Sequence, residues 1–270
     1  MTAFAQHFAF EFKAGLRNPA LLFINYLFPL AFYALMGAVM TKINPGFTEV
    51  LVPAMVVFTI MTGTILGLPS PLVESREAGI YRSYKINGVP ALSIVTIPVL
   101  TTIFHVLITS AIIVATATPL FKGVAPSDWG GFVLVALVTA FTCGAIGALI
   151  GVISANSQAT VLWSQLIFLP SMLIGGLMLP LSLLPKGIRP FSALLPTSHA
   201  MQAFMGLAYD QTTTFNPTVS LGILLASGVL ALGLAIYLFN WDSRNQARRG
   251  HPLMALLALA PFVVSIFLQS

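Results

Sequence analysis

The sequence predicts an all-α integral membrane protein: six transmembrane helices, an amphipathic helix in front of them and one further apolar segment behind. Three observations carry this. Hydrophobic residues make up 57% of the 270 and charged residues only 7%, with a mean hydropathy of +0.95, which is more apolar surface than one soluble core could hide. Six runs reach the roughly 20 residues that cross about 30 Å of hydrocarbon at about 1.5 Å per residue. None of the six alternates as a barrel strand does, and an open strand would leave its backbone unsatisfied in lipid.

Taken in order, residues 1–18 carry Glu11, Lys13 and Arg17 where a signal peptide would need an unbroken apolar core. Phe4, Phe8, Phe12 and Leu16 recur every fourth residue and share a face with Ala5 and Ala9. His7, Glu11, Lys13 and Arg17 take the other side, with Phe10 as the exception. Such a helix suits the membrane surface. The six spans follow at 19–41, 50–68, 91–118, 129–153, 161–183 and 218–239. Pro29, Pro98, Pro170 and Pro180 fall within apolar runs and are expected to bend them. The run 253–268 contains Pro261 and, as an α-helix, reaches only roughly 24 Å. It reads as membrane-embedded rather than plainly crossing. The domain division is therefore 1–18 as an interfacial helix, 19–240 as the six-span unit, and 241–270 as a basic linker with its apolar segment.

Charge sets the orientation. With the N-terminus in the cytosol, eight basic residues fall inside (Lys13, Arg17, Arg76, Arg82, Lys85, Arg244, Arg248, Arg249) and four outside (Lys42, Lys122, Lys186, Arg189). The expected location is a cell membrane, the inner or cytoplasmic membrane of a prokaryote. The net charge of +5 reflects headgroup anchoring, and no clustered basic face with aromatics speaks for nucleic acid. The single Cys143 excludes a disulfide framework and a cysteine metal site.

The stretch VESREAGIYRSYKINGVP, residues 73–90, gathers Glu74, Arg76, Glu77, Arg82 and Lys85 in this charge-poor chain. At about 2.5–3.5 kcal/mol for a charge at the bilayer centre, burying five would cost on the order of 15 kcal/mol. The stretch belongs in the cytosol. Ser70-Pro71 resembles a helix start, Gly79 can bend the chain, and Asn87-Gly88 with Pro90 is a stop signal. After Gly79, helical spacing groups Ile80, Tyr81 and Tyr84, flanked by Arg82 and Lys85. Two tyrosines with basic neighbours suit a protein contact. They equally suit a solvated loop with tyrosines at headgroup level.

Several absences narrow the class. The sequence contains no G-x-x-x-x-G-K-[ST] phosphate loop, no H-E-x-x-H and no G-x-S-x-G. No Asp, Glu, Lys or Arg lies within a span away from its ends, whereas ion-coupled carriers commonly place such groups there. His105 is the one ionisable side chain well inside a span. It reads either as a proton or substrate site or as interhelical glue. Asn25 and Tyr26 on the first span, with Ser164 and Gln165 on the fifth, are candidates to line a pathway or to pack. Gly144, Gly147 and Gly151 permit close helix approach.

Residues 73–90 resemble the acidic, glycine-containing loop between the second and third spans of ABC transporter permeases of the ABC-2 family. The string LIGGLMLPLSLLPKGIRPFSALLPTSHAMQAF, residues 173–204, is similar to that family's fifth span and the proline-rich outer segment that folds back into the membrane. With the six spans and the surface helix, the likeness covers about residues 1–240. It implies a non-catalytic permease subunit of an ATP-driven exporter, working with a second permease chain, identical or paralogous. It implies separate ATP-binding-cassette subunits that hold ATP and Mg, so this chain needs no cofactor. Glu74 and Glu77 take the acidic positions and Gly79 the glycine. Arg76 lies among them, and Tyr81, Arg82, Tyr84 and Lys85 form the ATPase-docking helix. The expected cargo is amphipathic or lipid-like, a drug, lipid, peptide or glycan. The run after residue 252 departs from the family's usual six-span ending. The rival classes are an ion-coupled carrier working through His105 and a membrane scaffold or sensor subunit.

Overall fold

The computed structural model describes residues 3–178, 181, 184, 185, 187–242 and 250–268. Every element among them is helical. Six helices are long and apolar enough to cross a membrane: Pro19–Ile43, Phe47–Glu77, Ala91–Phe121, Trp129–Ile153, Ser157–Ile174 and Pro217–Leu238. They are called the first to sixth spans below. The end of the bundle that carries residues 73–90 is the loop end, and the opposite end is the far end.

Local chemistry starts each helix where the chain must turn. The Asn18 side chain accepts from the amides of Ala20 and Leu21, with Pro19 at the first helical position, which separates the N-terminal helix Ala3–Arg17 from the first span. Asp128, Asn156 and Asn216 cap the fourth, fifth and sixth spans in the same way. The fifth span begins at Ser157 and stops at Ile174, earlier at both ends than the expected 161–183. Its stop comes at the Gly175-Gly176 pair, where Gly176 has φ +86°, a backbone region that favours glycine. Pro180 and Leu183 lie outside the described residues.

Two spans contain π-helical turns, Phe23–Leu27 and Thr62–Gly67. The first precedes Pro29, whose ring has no N–H to offer the Asn25 carbonyl four residues back. That carbonyl instead accepts from the Thr109 hydroxyl of the third span at 2.8 Å. The second π turn precedes Pro69 and Pro71. Both prolines lie in the first turn of the helix Pro69–Glu77, where an amide is not needed, and the second span runs on to Glu77 instead of ending at residue 68. A helical segment does start here, two residues earlier than expected: Leu68 is the cap residue of Pro69–Glu77, with Pro69 at the first helical position, and the Ser70 hydroxyl meets that of Thr160 at 3.1 Å.

The second and fourth spans form the interior, 89% and 72% buried over their most apolar windows, while the first and fifth are only 28% and 22% buried. The glycine series of the fourth span makes the central contact. A Cβ on Gly147 would stand 2.1 Å from the carbonyl oxygen of Thr64 in the π turn. Only glycine admits that approach. At the far end the short helix Pro196–Ala208 is almost wholly buried and packs against the second, fourth and sixth spans.

The N-terminal helix lays part of its phenylalanine face on the third span: Phe8 meets Phe104 edge-on at 5.4 Å, and Phe12 stacks on His105 at 4.5 Å. Behind the sixth span, Pro252–Leu259 is a 3-10 helix that continues as the α-helix Ala260–Leu268. It starts beside Leu238. The Ser227 hydroxyl then donates to the Ala258 carbonyl at 2.8 Å, and Ser265 reaches His199 at the far end. Eight residues at about 2.0 Å and nine at about 1.5 Å reach roughly 30 Å. The segment thus runs the whole length of the sixth span, farther than an all-α reading allowed.

Candidate functional site: the loop after the second span

The second span ends in an acidic turn, then a glycine, then a short helix. Glu74 and Glu77 point outward on the last turns. Gly79 follows at φ +74° with nothing within 4 Å of where a Cβ would stand, so backbone conformation alone calls for glycine here. Its left-handed turn redirects the chain into the helix Ile80–Ile86.

Arg76 does not face outward. It is 8% exposed; its guanidinium donates to the Val152 carbonyl at 2.9 Å and to the Ser154 carbonyl. These are the last carbonyls of the fourth span, where a cation offsets the negative end of the helix dipole. Arg76 therefore locks the loop's base to the turn between the fourth and fifth spans.

The tyrosines divide. Tyr81, expected on an outward face, is 5% exposed and packs against Phe239 at the end of the sixth span, ring centres 5.4 Å apart. Burial raises its phenol above the usual tyrosine range. Tyr84 is half-buried and meets the His7 ring of the N-terminal helix edge-on at 5.5 Å. Arg82 pairs with Asp242, just past the sixth span, at 2.5 Å. The loop is thus fastened to the fourth span by Arg76, to the sixth by Tyr81 and Arg82, and to the N-terminal helix by Tyr84.

Exposed on this stretch are Glu74, Glu77, Ile80, Lys85 and Ile86, together with the paired Arg82 and the small or polar Ala78, Ser83 and Asn87. Ile86 is 81% exposed. Ile86 is thus a large apolar side chain held out among charged and polar neighbours on a fastened helix. Sequence reasoning grouped Ile80 with the two tyrosines but missed the exposed Ile86, and missed Phe239, Asp242 and His7 as the fasteners. The signal for Ile86 was a lone large apolar residue between Lys85 and Asn87 in a polar stretch.

The pathway candidates sit elsewhere. Asn25 is buried in the first π turn, its Oδ1 without a hydrogen-bond partner and close to Gly63 and Gly67 of the second span. It lines a cavity of about 180 Å3 with Glu11, Thr101 and His105. The Tyr26 hydroxyl holds His105 Nδ1 at 2.6 Å. Ser164 is buried and Gln165 half-buried on the fifth span, just before Phe168, whose ring meets Phe58 of the second at 5.9 Å. Asn25 and Tyr26 thus lie where the first three spans meet. Among the described residues, no group of His, Cys, Asp and Glu could hold a metal ion.

No curated protein and no solved structure matches the chain. The model of the family described as ABC-2 type transporter does match, over residues 2–209, a stretch that contains the first five spans, the fastened loop and the buried far-end helix. The chain belongs to the ABC-2 type transporter family, as a membrane-spanning permease.

Proposed function

We propose that this permease is one half of the membrane path of an exporter, with its N-terminus and the 73–90 loop in the cytosol. A separate ATP-binding-cassette subunit, which holds ATP and Mg, seats on Ile80 and Ile86 with Glu74, Glu77 and Lys85 around them. A second permease chain meets the sparsely buried first and fifth spans, and the route between the two chains takes an amphipathic or lipid-like cargo. The chain itself performs no hydrolysis. Away from their ends its spans offer aromatics, methionines and small polar groups but no Asp, Glu, Lys or Arg.

One observation carries the reading: the outward face of Ile80–Ile86 is anchored at several points behind and free in front. Moving an equilibrium from 1:99 to 99:1 takes about 5.5 kcal/mol of differential binding, which a slack loop would dissipate. Here a push on Ile86 enters a helix whose back is fixed to the end of the sixth span by Tyr81 and Arg82 and to the N-terminal helix by Tyr84. It passes into a second span that is continuous up to the π turn packed on Gly147. The Tyr26–His105 bond and the Phe12 stack favour the reading of His105 as interhelical glue over that of a coupling group.

The test is biochemical. The chain purified alone neither binds nor hydrolyses ATP; the complex with its cassette subunit does both. Hydrolysis by the homogeneous single chain overturns the proposal.

A further inference from the structure

Glu11, Gly15 and Asn18 are spaced so that they share one side of the N-terminal helix and the turn after it. That side forms one wall of the cavity of about 180 Å3, and Asn25, Gly67, Thr101 and His105 of the first three spans form the other. Phe8 and Phe12 of the same helix cross the third span at Phe104 and His105. An amphipathic helix of this kind lies along the membrane surface, so the cavity lies at the depth of lipid headgroups. Its volume is below the roughly 300–1,000 Å3 of drug-sized sites and suits a small polar group.

The polar atoms of the wall are short of donors. Asn25 is 4% exposed, and its Oδ1 has no hydrogen-bond partner. Gly67, in the same wall, keeps the space beside that oxygen open: a Cβ there would stand 3.7 Å from it. The Thr101 hydroxyl donates its proton to the Pro98 carbonyl at 3.0 Å and keeps its lone pairs. His105 Nδ1 is held by Tyr26. Glu11 brings a carboxylate, whose ion-pair partner among the described residues is His7, one turn back at 3.5 Å. No Lys or Arg is among the described residues that line the cavity. A buried acceptor without a donor is costly, and a carboxylate at the edge of a low-dielectric pocket attracts a cation. The complementary group is compact, cationic and rich in N–H: a primary ammonium, with three donors on one charge.

We propose that this cavity binds a primary ammonium group, carried by an aminophospholipid headgroup or by a free small amine. Glu11 balances its charge and Asn25 Oδ1 accepts one of its N–H groups. Bound there, the ligand ties the N-terminal helix to the first three spans. The inference rests on the membrane setting of that helix and holds whichever subunit drives transport.

The experiment uses the full chain purified without a cassette subunit. Native mass spectrometry counts the lipid retained from micelles holding phosphatidylethanolamine or phosphatidylcholine with the same acyl chains; the choline has no N–H to donate. One phosphatidylethanolamine should reach half-occupancy at an about tenfold lower concentration, the ratio that one charge-assisted hydrogen bond supplies. Glu11 is half-buried, and Glu11→Gln keeps the shape of the side chain, so the variant folds but should lose that preference. His7→Gln, which removes only Glu11's own partner, and Glu49→Gln, at an exposed far-end position, should keep it. In a second arm ethanolamine alone is titrated into the chain in phosphatidylcholine nanodiscs, and thermal unfolding is read. A lipid preference that Glu11→Gln abolishes assigns the ammonium to a headgroup. A rise in unfolding temperature with ethanolamine, absent in Glu11→Gln and without a lipid preference, assigns it to a free amine. Either result supports the site. Neither effect would mean that waters alone fill the cavity, and a preference unchanged in Glu11→Gln would mean ordinary lipid contact; each of these overturns the proposal.

Discussion

Replacing Gly147 by alanine tests the packing on which the loop's stiffness depends. The added Cβ would lie 2.1 Å from the Thr64 carbonyl oxygen and 3.0 Å from its carbon, where ordinary contact begins at 3.4 Å. Both neighbours are backbone, so no side chain can swing away, and the second and fourth spans must part by roughly 1 Å in a close-packed interior. Overpacking of this kind costs about 1–3 kcal/mol, and the backbone contact argues for the upper end. Alanine's better helix propensity returns about 1 kcal/mol. The net is a loss of about 2 kcal/mol. Gly233→Ala on the sixth span is the control: nothing lies within 4 Å of its Cβ position, so it keeps the propensity gain without the clash. Denaturant unfolding of the purified chain should show Gly147→Ala less stable than the unaltered protein and Gly233→Ala no less stable. If Gly147→Ala unfolds like the unaltered chain, the spans are not in backbone contact and the reasoning fails.

The remaining predictions concern the loop and the segments flanking it. Tyr81→Ala should cost about 3 kcal/mol or more, as truncation of a buried ring does, and should expose the loop to protease, whereas Ile86→Ala should change stability by less than about 0.5 kcal/mol. Ile86→Ala should nonetheless weaken retention of the cassette subunit by about tenfold or more in a pull-down titration, as the loss of a central contact residue does. Cysteines at Leu253 and Leu268, in a background lacking Cys143, should label from opposite sides of the membrane with an impermeant reagent, because the C-terminal segment runs the length of the sixth span; labelling from one side would mean it turns back. His105→Gln should lower stability through loss of the Tyr26 bond yet leave ATP-driven transport insensitive to collapse of the proton gradient.

Composition made the class legible, because the bilayer's thickness imposes length and apolarity on every span and both are local properties. Five of the six spans lie close to where hydropathy puts them at their starts, and the caps at Asn18, Asp128, Asn156 and Asn216 were open to reading. The π turns were not, since they arise from prolines whose freed carbonyls find partners such as Thr109, distant in sequence. The same reason hid the orientation of the loop: Tyr81 faces inward because of Phe239, and Arg76 because of Val152 and Ser154. A helical wheel of residues 80–86 groups Tyr81 and Tyr84 correctly but cannot say which side of the wheel the bundle occupies. Gly147 looked like any small residue in a membrane helix until Thr64 was placed against it. The reach of the C-terminal segment was underestimated because a 3-10 rise is longer per residue than the α-helical rise assumed.

The outward face of the loop helix can be read directly by site-specific cross-linking. A single cysteine at Ile86, in a Cys143→Ala background, should cross-link to the cassette subunit in membranes from cells that make both, and ATP should change the yield. A cysteine at Val124, exposed at the far end, should give no such product. Cross-linking from Val124, or none from Ile86 while the complex stays assembled, would contradict the claim that residues 73–90 are where the ATP-driven subunit takes hold.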